Sequence, residues 1–349
     1  MRLRLVTAAA ALLAVSIAAC KPVSRQASAD LGSGELVKAD LALFAPLPAR
    51  MVAGVKPPTD AQIALGRALF YETLLSVGHN VSCNSCHPLN AFGADGRARS
   101  FGDHGQTGGR NSPTVYNAAG QIAQFWDGRA RTVEEQAKGP VLNPAEMGMP
   151  NAEAVLEHLR ASAAYRAQFA AAFPGAGTPL TYDNVGRAIG AFERGLVTPA
   201  SWDKFLGGDD AALSADQKRG AKTFVAAGCA GCHGGVYLGG TAFMKAGLVT
   251  PWPSAADSGR ILVSKNPDDL FVFKVPSLRN VEKTGPYFSD GGVASLDEAI
   301  RMMGRHQLGL ELSDGQVKDV KTFLRTLTGT IPVQYVAQPQ LPRSPTAGP

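Results

Sequence analysis

The chain has 349 residues, 45% of them apolar and 18% charged, enough for two domains that each bury a core. Its formal charge of +5 is mild and comes without a Lys/Arg-rich run, which excludes a nucleic-acid arm and leaves nucleic acid an unexpected partner. Aromatic residues make up only 7%, and 39 glycines and 23 prolines point to a loop-rich protein.

Residues 1–20 read as an export signal: basic Arg2 and Arg4 precede an apolar run from Leu5 to Ala19, too short to span a bilayer. The run ends in Ile17-Ala18-Ala19-Cys20, which resembles the lipobox of bacterial lipoproteins. An ordinary cleavage site with an incidental cysteine is the plainer alternative, but a solitary extra cysteine here fits lipidation of Cys20 better. Lys21 follows where an aspartate would retain the protein at the inner membrane, so the pattern resembles outer-membrane sorting. Residues 21–48 are small, polar and interrupted by Pro46 and Pro48, as in a linker or wrapping arm.

A helix is expected from about Asp60 to Leu75, with Ile63, Leu65, Leu69 and Phe70 on its apolar face. It leads into Cys83-Asn84-Ser85-Cys86-His87, and the same pattern returns as Cys229-Ala230-Gly231-Cys232-His233. Two thiols three residues apart with a histidine directly after form the attachment signature of a c-type haem. Each thiol adds across a haem vinyl group, and the adjacent imidazole reaches the iron. A redox dithiol or half a zinc site would not place a histidine there in both copies. Two covalent haems therefore claim four of the five cysteines, Cys20 is the fifth, and none remains for a disulfide. Bacterial c-haems are attached outside the cytoplasm, so the expected location is the periplasm, the body held to the membrane only by the lipid.

Around the motifs the sequence repeats itself. Pro113-Thr114-Val115-Tyr116-Asn117 matches Pro276-Ser277-Leu278-Arg279-Asn280, Phe125-Trp126-Asp127-Gly128 matches Phe288-Ser289-Asp290-Gly291, and Val133-Glu134-Glu135 matches Leu296-Asp297-Glu298. All three pairs hold at one offset without a gap, an internal duplication with one haem per copy. A helix from Ala215 to Ala226 precedes the second motif, its Gly220 and Phe224 echoing Gly66 and Phe70. Helices from Tyr182 to Leu196 and Leu312 to Leu327 close the two copies. The expected fold is all-α: two cytochrome c-like haem domains over residues 49–200 and 201–335, then a Pro-rich tail over 336–349.

A haem with histidine on one face is a carrier if the other face is filled, and a catalyst if that face can open. His158 lies in a surface-like helix (Ala152 to Ala161), His79 sits too close before its own motif, and His306 reads as an exposed loop residue. His104 differs: it lies in Gly102-Asp103-His104-Gly105-Gln106-Thr107-Gly108-Gly109, a loop flexible enough to carry a ligand that swings away, with a solvated loop histidine as the plainer alternative. In the second copy, one of Met302 and Met303 is a natural thioether ligand, which raises haem potential, unless both are core fillers.

With the segments Arg110-Asn111-Ser112-Pro113-Thr114, Phe125-Trp126-Asp127-Gly128-Arg129, Glu134-Glu135-Gln136-Ala137, Pro144-Ala145-Glu146-Met147, Gly285-Pro286-Tyr287-Phe288 and Met302-Met303-Gly304 added to the haem motifs, the chain resembles the bacterial dihaem cytochrome c peroxidases over roughly residues 57 to 330. That family shares its architecture with the MauG-type tryptophan-modifying enzymes. The resemblance implies a low-potential peroxidatic haem with proximal His87 and a distal histidine, here His104, that leaves on reductive activation. It implies a high-potential haem with proximal His233 and sixth ligand Met303. Glu146 and Gln136 would line the peroxide pocket, and Trp126 would lie between the haems. Asn111 and the carbonyls of Thr284 and Pro286 would bind calcium.

Two departures stand out. The family's distal histidine usually sits one position earlier, where this chain has Asp103, and Ser289 stands where peroxidases commonly carry a histidine. The implied reaction is reduction of hydrogen peroxide to water with electrons from a small cytochrome c or a cupredoxin. Cleaving the O–O bond heterolytically needs a carboxylate that moves a proton between the two oxygens, and Glu146 suits that need. A MauG-like oxidase acting on a partner protein would use a tyrosine where this chain has Met303. A dihaem electron-transfer cytochrome would have no use for Glu146 and Gln136. Dimerisation, including a homodimer, is left open by the sequence.

Overall fold

The computed structural model describes residues 31, 33–52, 54 and 56–342, so Cys20, the signal segment and residues 343–349 lie outside the described residues. The chain is built from short helices joined by long loops, and one small antiparallel pair, Phe243–Lys245 with Val272–Lys274, is its only sheet among the described residues. No helix in the described residues is long and apolar enough to cross a membrane.

Two helix crossings organise the molecule. Asp60–Tyr71 packs against Tyr182–Glu193, and Ala215–Ala226 packs against Asp314–Arg325. Three of these helices begin at a reciprocal cap legible in the sequence as Ser/Thr-x-x-Gln. Thr59 Oγ1 accepts from Gln62 N at 3.2 Å while Thr59 N donates to Gln62 Oε1 at 3.0 Å, and Ser214–Gln217 and Ser313–Gln316 repeat the arrangement. The first helix stops at Tyr71, short of Leu75. Glu72 leaves the helix with ψ 121° and turns its carboxylate to Leu74 N at 3.0 Å, starting a separate 3₁₀ turn, Thr73–Leu75.

Glycines set the depth of both crossings. A Cβ on Gly66 would lie 1.8 Å from the Ala188 carbonyl oxygen, and one on Gly220 would lie 2.2 Å from that of Asp319. One turn on from each, Phe70 and Phe224 meet Phe192 and Phe323 at 5.6 and 5.0 Å between ring centroids. Alanine is the better helix former by about 1 kcal/mol, yet a methyl here must push two backbones apart, which costs about 1–3 kcal/mol or more in a packed core. Gly220→Ala is therefore expected to lower stability, read as a smaller midpoint in denaturant unfolding of the haem-loaded protein.

The duplication is visible in the backbone. Phe125 and Phe288 both adopt positive φ (66° and 68°), as do Asn117 and Asn280 (58° and 62°). The two asparagines are fully buried and converge on one hydroxyl: each donates from Nδ2 to Thr198 Oγ1, at 2.8 and 2.9 Å. One core draws on residues 65–196 and the other on 202–327. Two segments cross over: Phe44 of the arm packs on Trp202 at 5.3 Å in the second core, while Val336 completes the first, where its carbonyl accepts from Tyr71 Oη at 2.5 Å. The arm and the start of the tail thus tie each copy to the other.

His306 corrects the sequence reading. It is 8% exposed, not an exposed loop residue, with Nδ1 3.2 Å from the Thr250 carbonyl and its ring edge-on to Trp252 at 5.4 Å. The cause is the insert around residues 246–257, which folds back over the wide turn Gly304–Leu308 and covers it.

Candidate functional site: two haem clefts and a carboxylate pocket

Each attachment motif forms a single tight turn, Cys83–Cys86 in one copy and Cys229–Gly231 in the other, and the four thiols are unpaired. Burial raises the pKa of Cys83, raises Cys86 to about 11 and raises Cys229 to about 12. Dithiol redox sites do the opposite, lowering a thiol to make it reactive, so these thiols lack the activation that exchange chemistry uses.

The two histidines are held in the same way. His87 Nδ1 lies 3.1 Å from the Gly93 carbonyl and His233 Nδ1 lies 3.2 Å from that of Leu238. Burial lowers the pKa of His87 and brings that of His233 to about 4, while the backbone of the repeat-equivalent prolines Pro113 and Pro276 pulls each slightly upward. Both rings are therefore neutral, with Nδ1 spent on a carbonyl and Nε2 left as a ligand. Protein surrounds both rings, yet each keeps some accessible surface, as a group facing an internal cleft does.

For His233 that cleft is a cavity of about 290 Å³ shared with Cys229, Cys232, Met303 and the apolar side chains of Phe224 and Leu324. Met303 sits in the last turn of Leu296–Met303 and lines the cavity; Met302 is not among its lining residues. One nitrogen donor, one thioether, two thiols and apolar walls suit a c-haem. Trp126 reaches the same cavity, donating from Nε1 to the Asn111 carbonyl at 2.9 Å. Asn111, Thr284 and Pro286 line it too. Asn111 is buried, its Nδ2 bonded to the Arg97 carbonyl at 2.9 Å and its N–H to the Ser289 carbonyl at 2.8 Å. No group of three His, Cys, Asp or Glu side chains able to hold a metal ion occurs among the described residues.

Glu146 lies near the first motif, close enough for its charge to add to the rise at Cys83 and Cys86. Burial raises its own pKa, opposed by the Arg129 charge and by a hydrogen bond from Asn143 Nδ2 to Oε1 at 2.8 Å. Asn143 cannot turn away, because its Oδ1 accepts from Ala145 N at 3.0 Å. These three residues, with Phe125, Glu135 and Pro140, line a pocket of about 240 Å³. Gln136 is half-buried at the end of the short helix Val133–Gln136 and does not line that pocket. Asn143→Leu is expected to raise the pKa of Glu146 further, so the acid limb of the pH–rate profile should move to higher pH.

His104 stands apart. Its side chain is 72% exposed, its φ is +52°, and Nδ1 lies 3.5 Å from Asp103 Oδ1. Asp103 is the buried member of the pair, 1% exposed, accepting from Gly78 N at 2.5 Å and His104 N at 2.7 Å.

Sequence reasoning missed Asn143, Arg129 as a modulator of Glu146, and Arg110. Arg110 is clamped between Asp127 at 2.5 Å and Asp257 at 2.7 Å, tying the first copy to the insert of the second. No spacing rule marks Arg110 or Arg129, since Asp257 and Glu146 come from separate loops. Asn143 alone had a local signal, an asparagine placed to close a turn just before the Pro-Ala-Glu segment.

Comparison with known proteins agrees. The family described as di-haem cytochrome c peroxidase matches residues 60–211, and cytochrome c matches residues 217–328. The chain is 44% identical to the cytochrome c551 peroxidase of Pseudomonas aeruginosa, over 87% of this chain and 88% of that protein. It is also 44% identical to the cytochrome c peroxidase Ccp of Escherichia coli, over 78% of this chain but only 60% of that longer protein. A crystal structure of a MauG-like protein associated with microbial copper homeostasis superposes with TM-score 0.75 at 30% identity, covering 84% of this chain and 97% of that one. Paired haem-attachment turns, matched histidine tethers and identity over nearly the whole length lead to one assignment: the chain belongs to the dihaem cytochrome c peroxidase family, an enzyme carrying two haem c groups.

Proposed function

We propose that the chain reduces hydrogen peroxide to water in the periplasm, with electrons from a small cytochrome c or cupredoxin, while lipidated Cys20 holds it at the outer membrane. The observation that carries this reading is Glu146, a carboxylate with a raised pKa close to the first attachment motif and fixed by Asn143. When bound, haem iron supplies the redox chemistry that opens the O–O bond. Glu146 takes the proton from one peroxide oxygen and returns it to the other, and burial, which raises its pKa above the ordinary glutamate value, makes it a better proton acceptor than an exposed carboxylate. Among the described residues the only hydrogen bond to its carboxylate comes from Asn143, so Oε2 is available for that proton. Gln136, at the end of Val133–Gln136 and outside the pocket that Glu146 lines, would orient the peroxide only from the pocket's edge.

In the same reading, residues 49–200 and 201–335 form the peroxidatic and electron-receiving domains. His87 would hold the first iron, and His233 with Met303 would hold the second. His104 supplies a displaceable ligand on its glycine-rich loop, and Trp126 relays electrons. Asn111 with the carbonyls of Thr284 and Pro286 offers calcium a neutral oxygen site completed by water.

The test is anaerobic optical and EPR spectroscopy of the oxidised protein before and after one electron is added. The expected result is reduction of a His/Met haem, conversion of the other to high spin, and rapid peroxide consumption. Two haems that stay six-coordinate and ignore peroxide would establish a carrier instead.

A further inference from the structure

The strand Val272–Lys274 ends on a lysine for which the reading above has no use. Lys274 is 9% exposed and faces the second haem cavity. Its backbone is fixed on both sides: its N–H donates to the Trp126 carbonyl at 2.8 Å, and in the strand pair it stands opposite Phe243. The ammonium donates to Gln121 Oε1, an amide oxygen and not a carboxylate. Burial alone lowers its pKa to about 8, with no opposing charge to offset it. An ammonium carries three N–H donors, and a buried one without a counter-charge is strongly penalised.

The cavity supplies the other half. Lys274 is the only lysine or arginine among its lining residues, and two carboxylates, Asp257 and Asp290, face it elsewhere. Asp257 is bonded to Arg110 at 2.7 Å, and Asp290 accepts from Ser254 Oγ at 3.1 Å. A c-haem fixed by Cys229, Cys232 and His233 brings two propionate carboxylates with it. With Asp257 already paired to Arg110, Lys274 is the cavity's one cation without a counter-charge, and a propionate is drawn to it, where a charge-assisted hydrogen bond forms.

We propose that Lys274, with Gln121 beside it, is the anchoring cation for a propionate of the second haem. The propionate gives the ammonium the partner it lacks, and the ammonium in turn makes the haem easier to reduce. Because the Lys274 N–H holds the Trp126 carbonyl, the anchor also fixes the haem edge relative to the residue between the two copies.

The experiment is a redox titration of the full dihaem protein as wild type, Lys274→Met and Lys274→Arg. Cys229→Ala, introduced into all three, labels the second haem: one vinyl group stays unreacted and shifts its absorption to longer wavelength. The potential of the labelled haem is expected to fall in Lys274→Met and return toward wild type in Lys274→Arg, with the first haem unmoved. Redox-difference infrared spectra read the propionate directly, and its carboxylate band should move in the methionine variant only. An unchanged potential, a shift confined to the first haem, or a lowered potential with the propionate band unmoved overturns the anchor. The inference rests on a haem at Cys229–His233 and not on the roles of Glu146 or Met303. A haem count of one per chain would expose a failure of that premise separately.

Discussion

Glu146→Gln is expected to reduce peroxide turnover by about 10²- to 10⁴-fold, the usual contribution of a positioned acid–base group. Glutamine has nearly the same shape and can still accept from Asn143 Nδ2, so the pocket should survive and both haem spectra should stay as they were. The acid limb of the pH–rate profile should vanish with the carboxylate. That limb lies above the ordinary glutamate value because burial raises the Glu146 pKa, and activity should fall as pH drops through it.

Stability should move the other way. A carboxyl whose pKa is higher folded than unfolded favours the fold fully below the unfolded value, and that contribution is lost as pH rises through the folded one. At neutral pH the amide avoids the penalty of burying a charge, so Glu146→Gln should unfold no more easily than wild type, and its stability should vary less with pH. Initial rates with a reduced donor, taken with a pH series of denaturant midpoints, check both halves. Wild-type turnover in the variant would remove Glu146 from the proton path.

The attachment motifs and the duplication were legible because both rest on short fixed spacings that a covalent cofactor and a repeated backbone impose. Gly66 and Gly220 could be matched in sequence, but only the crossing helices explain them: each stands where a neighbouring backbone carbonyl leaves no room for Cβ. His306 was misread because its cover, Trp252 and the Thr250 carbonyl, comes from an insert more than fifty residues earlier, with no periodicity to announce it. Lys274 was invisible for a related reason. A lysine beside Val275 and Pro276 looks like an ordinary strand end until the Trp126 loop and the cavity close around it.

Met302 and Met303 show what the structure adds where the sequence leaves a choice. A helix places successive residues about 100° apart, so only one of two adjacent methionines can point into a given cleft, and Met303 is the one lining the cavity with His233. Met303→His is expected to replace a thioether with a second imidazole and so lower the potential of that haem. For a one-electron couple, every 59 mV or so of lowering makes reduction by a given donor tenfold less favourable. Turnover driven by a small cytochrome or copper protein should therefore collapse in Met303→His, while a strong chemical reductant should still support peroxide consumption, since the first haem and Glu146 are untouched. Met302→His, one position away, should leave the potential near wild type. A redox titration of the three proteins separates the outcomes: equal shifts in both variants would mean that perturbing the helix end lowers the potential, and no shift in Met303→His would remove the sulfur from the iron.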